Sequence, residues 1–380
     1  MKNIKKNTLV TLFLANLKGG GIQRATVDLA YGFVKQGLKV DIILSKATGP
    51  FIKQVPRGVQ IINLKNLRLR QHIFALIRYL RRKQPKALLS NCHYNNEIAI
   101  LAKHLSRVST LLVVVEHNTY SKISRSSIKM PLDFFGLTPR RPISLIKYFY
   151  PWADKIIAVS KGVAKELANI TSLSLKNIEV IYNPVITPDI FKKVKELVDH
   201  PWFAPGSSPV ILGVGRLVGQ KDFPTLIKAF AKVRKQQKAR LVILGEGPDK
   251  SKLSVLIHKL NIEKDVDMPG YSKNPYAFMA RAKVFVLSSI YEGFGNVLAE
   301  AMACGTPVIS TDCPSGPSEI LKNGKYGKLV AVGDSNALAE AILKVLNGEK
   351  KKVPKSWLEQ FTVDHVVKEY LKILYKPKII

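Results

Sequence analysis

The sequence predicts an α/β protein made of two doubly wound parallel-sheet domains, and three observations lead there. Short apolar runs alternate with helical patterns along the whole chain, which is the pattern of parallel strands joined by helices that cover both sheet faces. At 380 residues the chain exceeds the ~250 to 300 residues at which a single core stops growing. The alternation also falls into two series, which meet near Asn183-Pro184 and the polar segment DHPWFAPGSSP (199–209). The expected domains are therefore 1–185 and 186–360, with a closing helix in 361–380. Ligand is expected in a cleft outside the strand carboxyl ends.

The start, MKNIKKNTLVTLFLANLKGGG, has the basic front and apolar centre of a secretory signal. It lacks a small-residue cleavage site, so TLVTLFLANL is read as strand one and its loop. Gly19, Gly20 and Gly21 exceed what a turn needs and let the backbone approach a ligand closely. GGGIQR lacks the glycine spacing of a dinucleotide fingerprint, so NAD is not expected. GIQRATVDLAYGFVKQG follows as a helix closed by Gly37. KVDIILS, ALLSN, TLLVVVEHN, KIIAVS and IEVIYNPV read as further strands. The second series is PVILGVGRL (209–217), LVILGEG, DVDMPG, VFVLSS, TPVIST and GKLVAV, and VDHVVKEYLKILYK (363–376) closes the chain as a helix.

Residues 291–319, YEGFGNVLAEAMACGTPVISTDCPSGPSE, carry the chemistry. VFVLSS before them is a buried strand, and the glycines of EGFG demand a turn. Asn296 is expected to cap a short helix that Gly305 closes. A strand, a glycine turn and a helix start in series offer amide N–H groups and a positive dipole end to an anion. Glu292 and Glu300 flank that spot, and carboxylates accept hydrogen bonds from sugar diols. Taken alone, Glu292 is equally a solvated loop charge and Glu300 a carboxylate favoured by the helix dipole.

The order of motifs weighs against that plainer account. Together with GVGRLVGQKDFPTLIKAF (213–230), LVILGEGPDKSKL (241–253), AVSKGV (158–163) and VIYNPV (180–185), the segment resembles the retaining glycosyltransferases called group 1 or family 4. The resemblance runs from about Gly19 to about Ala331. It implies the GT-B architecture, two Rossmann-like domains facing a cleft, with an acceptor-binding first domain and a nucleotide-sugar-binding second one. It also implies that the closing helix crosses back to the first domain.

The same resemblance assigns roles. Arg216 and Lys221 would hold the donor diphosphate, helped by Gly20, Gly21 and the segment Gly293, Phe294, Gly295, Asn296, Val297 and Leu298. Glu292 would take the sugar hydroxyls, Glu300 the ribose diol, and the stretch from Met268 through Tyr271 the base. His117 would stand against the donor sugar, with Glu116 either orienting it or simply exposed. Many members carry Glu where Gln23 stands, so a role for that charge is not transferred here. His93 and Asn95 are further acceptor-side candidates without family support. The implied reaction is same-face transfer of a hexose or N-acetylhexosamine from a UDP-sugar to a lipid-linked saccharide or lipopolysaccharide-type acceptor. A GDP-mannose donor is the alternative.

No metal or cofactor is expected, the nucleotide sugar being a substrate. Cys92, Cys304 and Cys313 form no disulfide framework or metal spacing and point to a reducing compartment. Asp265 and Asp267 spell DVD, a metal-holding pattern elsewhere, but here they are expected to be ordinary strand residues.

The net charge of +33 is uneven: residues 1–185 hold 30 Lys/Arg against 8 Asp/Glu, and residues 186–380 hold 30 against 19. No acid occurs between Asp41 and Glu97. LRQHIFALIRYLRRK (69–83) sets Ile73, Leu76, Ile77 and Leu80 at helical spacing with arginines on other faces. That suits an interfacial helix on anionic lipid, and equally a helix whose stripe faces a core. A second basic patch, 118–150, interleaves Lys122, Arg125, Lys129, Arg140, Arg141 and Lys147 with aromatic residues. No apolar run approaches the ~18 residues needed to cross a bilayer. A cytoplasmic enzyme held peripherally on the anionic inner membrane surface is the expectation. Nucleic acid is a weaker reading of the charge, because no nucleic-acid-binding signature accompanies it.

Overall fold

The computed structural model describes residues 7–65, 69–119 and 143–375, with the side chains of 69, 70, 93 and 143–145 left aside. The chain forms two compact units, Met1–Val185 with Phe361–Ile380, and Ile186–Gln360.

In the first unit β1 (Leu9–Leu14) leads to α1 (Gly21–Lys35), β2 (Lys39–Leu44), β3 (Gln60–Asn63), α2 (Leu69–Lys83) and β4 (Ala87–Asn91). Next come α3 (His93–Ser106), β5 (Leu111–Glu116), α4 (Ile143–Phe149), β6 (Lys155–Ala158), α5 (Lys161–Thr171) and β7 (Ile178–Val180). The second unit runs α6 (Ile190–Lys193), β8 (Val210–Val214), α7 (Phe223–Gln236), β9 (Arg240–Leu244), α8 (Lys250–Lys259), β10 (Val266–Gly270) and α9 (Pro275–Arg281). It continues with β11 (Val284–Leu287), α10 (Asn296–Ala303), β12 (Val308–Thr311), α11 (Pro317–Ile320), β13 (Lys328–Val330), α12 (Ser335–Leu346) and α13 (Lys355–Leu358). The last helix, α14 (Val363–Tyr375), belongs to the first unit.

Both sheets are parallel throughout their described pairings, ordered β3-β2-β1-β4-β5-β6-β7 and β10-β9-β8-β11-β12-β13. Each order reverses direction once, at β1/β4 in the first sheet and β8/β11 in the second. Such reversals open a crevice beyond the strand carboxyl ends because neighbouring connections leave on opposite faces. The strands read as continuous apolar runs because both faces are covered. Leu12, Phe13, Leu112, Val113, Phe285 and Ile309 are fully buried.

Helix α2 answers the question its sequence left open. Ile73, Leu76, Ile77 and Leu80 are all buried, so the apolar stripe faces the core and not lipid. A parallel sheet must be covered on both faces, and this stripe supplies one cover. Tyr79 fastens it, sharing a 2.7 Å hydrogen bond with Thr11 and donating to Asp41 Oδ2 at 2.7 Å. Lys122, Arg125, Lys129, Arg140 and Arg141 of the second basic patch lie outside the described residues. Helix α14 closes over α1 at Gly32, where an added Cβ would come within 2.4 Å of Val367.

Candidate functional site

In the second unit the candidate residues gather at the β8/β11 reversal. β8 ends in Gly215 and Arg216, then a 3₁₀ turn, Gly219–Lys221. Beyond β11, Ser288 and Ser289 lead into the glycine turn. Hydrogen bonds join the two segments: Ile290 N–H donates to Gln220 O at 2.8 Å, Gln220 Nε2 to Tyr291 O at 3.0 Å, and Ser288 Oγ to Lys221 O at 2.7 Å. The result brings Lys221 Nζ to 2.5 Å from Glu292 Oε1, and Ser289 Oγ donates to that oxygen at 2.6 Å. Their side chains are only 17% and 8% exposed. A pair that dry needs opposite charge and hydrogen bonds together to offset its desolvation. The stem of Lys221 lies across Gly215, where a Cβ would crowd Cε to 3.2 Å.

Arg216 is exposed and makes no ion pair among the described residues. It stands two residues past the end of β8, and its guanidinium offers five donors.

Gly295, not Asn296, caps α10. It has φ 96°, a left-handed value open to glycine, and Asn296 is the first helical residue. With the turn bent at Gly295, Asn296 already lies inside the helix and is not the capping position. The N–H of Leu298 is engaged by Gly295 O at 2.9 Å, and its side chain is buried. Gly305, φ 83°, closes this helix as its sequence predicts. Glu300 is buried on the fifth helical position, and Tyr276 donates to its Oε1 at 3.4 Å. The turn is clamped from the next loop: Glu292 N–H donates to Pro314 O at 3.3 Å, and a Cβ on Gly316 would meet Phe294 O at 1.9 Å. Burial, then the charge of Glu292, pushes the Cys313 thiol up to about 12, so it stays protonated.

Tyr271 is exposed just past β10. Asp265 accepts from Arg234 Nε at 2.8 Å and from Arg240 Nη1, while Asp267 accepts from His200 Nε2 at 2.9 Å. Asp265 sits in the turn just before β10 and only Asp267 is on the strand, so the sequence expectation of two strand residues holds for one of them, and the two carboxylates have separate partners.

In the first unit a second cluster lies at the β1/β4 reversal and the adjoining end of β5. Gly19 and Gly20 have φ 126° and 119°, and Gly21 begins α1. Gln23 folds over Gly20, where a Cβ would come within 2.9 Å of Oε1. His117 follows β5 and is buried. Its Nε2 lies 2.9 Å from Asn91 Oδ1; an amide oxygen only accepts, so Nε2 carries the proton and Nδ1 is a lone pair. That Nδ1 is buried with no hydrogen-bond partner. Burial lowers the imidazole to about 4, which keeps it neutral near pH 7.

Glu116 is fully buried, and it orients its neighbour. Its Oε1 accepts the N–H groups of His117 at 3.0 Å and Asn118 at 3.3 Å, and Tyr150 donates to its Oε2 at 2.7 Å. Asn96 Nδ2 in turn donates to Tyr150 at 2.9 Å. Asn95 is buried, with Nδ2 donating to Asn91 O at 3.2 Å and Oδ1 unpartnered. The side chain of His93 lies outside the described set. Glu97, on the same helix, is buried with Oε1 unpartnered. Burial, then the negative charge of Glu116, raises its carboxyl to about 8.

Sequence reasoning missed Asn91, Asn96, Tyr150, Ser288 and Ser289. A usable signal existed for three of them: Asn91 is the last residue of β4 and the Ser288-Ser289 pair directly follows β11, polar residues where an apolar run stops. Among the described residues no group of three or more His, Cys, Asp and Glu is placed to hold a metal. None of the described helices is long and apolar enough to cross a membrane.

The comparisons with known proteins bear on the fold and the family. Residues 195–359 match the family described as glycosyl transferases group 1, and residues 19–187 match glycosyltransferase family 4. The chain is 34% identical over 284 residues to a Campylobacter jejuni N-acetylgalactosamine-N,N'-diacetylbacillosaminyl-diphospho-undecaprenol 4-alpha-N-acetylgalactosaminyltransferase, covering 73% of each protein. It is 25% identical over 346 residues to the lipopolysaccharide 1,6-galactosyltransferase of Salmonella typhimurium, covering 87% of this chain and 88% of that protein. Among solved structures, Anabaena Alr3699/HepE in complex with UDP and glucose superposes with a TM-score of 0.76 at 18% identity, covering 97% of this chain and 99% of that one. Apo lipopolysaccharide outer core galactosyltransferase WaaB superposes with a TM-score of 0.71 at 21% identity, with the same coverage. These last two likenesses are of fold, and they are GT-B structures. The motif order, the two parallel sheets and the relatives converge: this chain belongs to the group 1, family 4 glycosyltransferases and is a glycosyltransferase.

Proposed function

We propose that the enzyme transfers a hexose or N-acetylhexosamine from a UDP-sugar to a lipid-linked saccharide or lipopolysaccharide-type acceptor, with retention at the anomeric carbon. The observation that carries this reading is the dry Lys221–Glu292 pair, with the exposed Arg216 two residues past β8. Cations there suit a diphosphate, and the carboxylate suits sugar hydroxyls.

In the reaction the bond between the anomeric carbon and the phosphate oxygen breaks. The acceptor oxygen bonds to the same face of that carbon, and its proton passes to the departing phosphate oxygen. Arg216 and Lys221 stabilise the charge that builds on the diphosphate, with the start of α10, Gly293 to Leu298, alongside. They supply this charge without a divalent ion. Glu292 holds sugar hydroxyls, Glu300 the ribose diol, and Tyr271 lies against the base. In the first unit Gly20 and Gly21 bring backbone to the donor. His117, neutral and presenting Nδ1, accepts from a sugar hydroxyl and faces the positive charge of an oxocarbenium-like transition state. Names of relatives that act on undecaprenol-linked and lipopolysaccharide acceptors support the acceptor class. UDP in the complex of Alr3699/HepE supports the nucleotide.

A thermal-shift panel of nucleotide sugars tests the donor, because a ligand bound only by the folded state raises the melting temperature by mass action. A shift with a UDP-sugar is expected, and a shift with GDP-mannose alone replaces the donor assignment. Product anomeric configuration, read by NMR, tests retention. Unchanged turnover in chelator tests metal independence.

A further inference from the structure

We propose that Tyr276 is a positioning residue of the donor site, a hydroxyl that aims the Glu300 carboxylate at the ribose diol. The inference rests on the reading of Glu300 given above and deepens it by naming what holds that carboxylate in place.

Glu300 lies on α10 and Tyr276 on α9, and their side chains meet where the residues are only 6% and 5% exposed. The phenol donates to Glu300 Oε1 at 3.4 Å. The terminal torsion of a glutamate is soft, with no sharp staggered wells, so a carboxylate without a fixed donor swings. A hydroxyl on one oxygen sets its plane. With about four acceptor positions, the carboxylate can take the phenol and two ribose hydroxyls together. A bond of 3.4 Å is long between two oxygens, and such bonds in free enzymes tighten when substrate arrives. Phenylalanine at 276 would bury the same ring without desolvating a hydroxyl, so packing alone does not account for tyrosine here.

The phenol can set the carboxylate only if α9 is itself fixed, and contacts on several sides fix it. Asn274 caps the helix: its Oδ1 accepts the N–H of Ala277 at 3.3 Å, and its Nδ2 donates to Lys193 O at 2.9 Å and Glu196 Oε2 at 2.7 Å. At the other end Arg281 Nη1 donates to Val194 O at 3.0 Å. The end of α6 and the residues after it are thus seated along α9, and Lys193 Nζ lies 6.0 Å from the centre of the Tyr276 ring. Phe278, turned away from Tyr276 by the helical repeat, packs edge-on against Phe203 with ring centroids 5.1 Å apart. Thr306 Oγ1 donates to Met279 O at 2.5 Å, which joins α9 to the turn that closes α10. Both ends of α9 are pinned, and the phenol reaches Glu300 from a fixed base.

The test is calorimetric titration of the full chain with UDP and with 2′,3′-dideoxy-UDP, in wild type, Tyr276→Phe and Glu300→Gln. Wild type is expected to prefer UDP by about 30-fold or more, because hydrogen bonds to a charged group are lost with the diol. In Tyr276→Phe the preference should shrink to about fivefold or less, while the dideoxy nucleotide binds as it does to wild type. Glu300→Gln should narrow the preference as well. Tyr276→Phe with an unchanged preference, or with both nucleotides weakened alike, overturns the role of the hydroxyl and leaves Glu300 standing. Wild type without a preference, or Glu300→Gln with the full one, sinks the ribose reading of Glu300, and the proposal falls with it.

Discussion

Lys221 Nζ and Glu292 Oε1 meet at 2.5 Å across 71 residues of sequence, joining the strand ends on either side of the β8/β11 reversal. Lys221→Met would leave a nearly buried carboxylate with one hydroxyl donor, at a cost of about 3 kcal/mol in urea unfolding. Adding Glu292→Gln should return most of that stability. Turnover should fall about 100-fold or more in both variants, because neither restores a cation at the diphosphate. Recovery of activity in the double variant would show that the pair only builds the fold.

A second prediction concerns Asn91. Asn91→Leu removes the acceptor of the His117 Nε2 proton and strands a buried donor, costing about 1 to 3 kcal/mol. Freed of that bond, the ring can turn or change tautomer and Nδ1 is no longer aimed. The expected signature is a fall in kcat larger than any rise in donor KM, with the imidazole NMR signals reporting the altered tautomer.

Acid and alkali should act through different residues. His117 titrates near 4 in the fold against its ordinary 6.5, so the unfolded chain takes up the proton first as pH falls. Stability is full above 6.5 and declines toward pH 4. Glu97 has the opposite sign: its carboxyl, near 8 against an ordinary 4.5, favours the fold below 4.5 and loses that contribution as pH rises to 8. Glu97→Gln should therefore gain on wild type by about 1 kcal/mol or more between pH 5 and pH 8. Urea midpoints at the two pH values check it, and a constant difference would refute the assignment.

The donor turn should be sensitive to its neighbour loop. Gly316→Ala places a Cβ 1.9 Å from Phe294 O at φ 90°, so the 292–295 turn must move. A stability loss of about 1 to 3 kcal/mol is expected, with donor KM raised. Gly305→Ala has the same kind of backbone, φ 83°, but meets nothing within 4 Å. It should cost about 1 kcal/mol and leave KM unchanged.

The sequence by itself determined the class of the fold and the segments in which the candidate residues lie. Parallel strands covered on both faces are long apolar runs, and EGFG and GGG interrupt such runs at strand ends, so both features are local and readable. Local signals also decided that a helix begins near residue 296. Only the tertiary structure decided that Gly295 caps it, that Ile73, Leu76, Ile77 and Leu80 face a sheet, and that Asn91, Tyr150 and Ser289 hold the candidate groups. Those outcomes depend on which strand lies beside which. Asn91 meets His117 because β4 and β5 are neighbours, and Lys221 meets Glu292 because the sheet order reverses between β8 and β11. Pairing across a reversal is set by the packing of distant segments, and no periodicity within either segment records it.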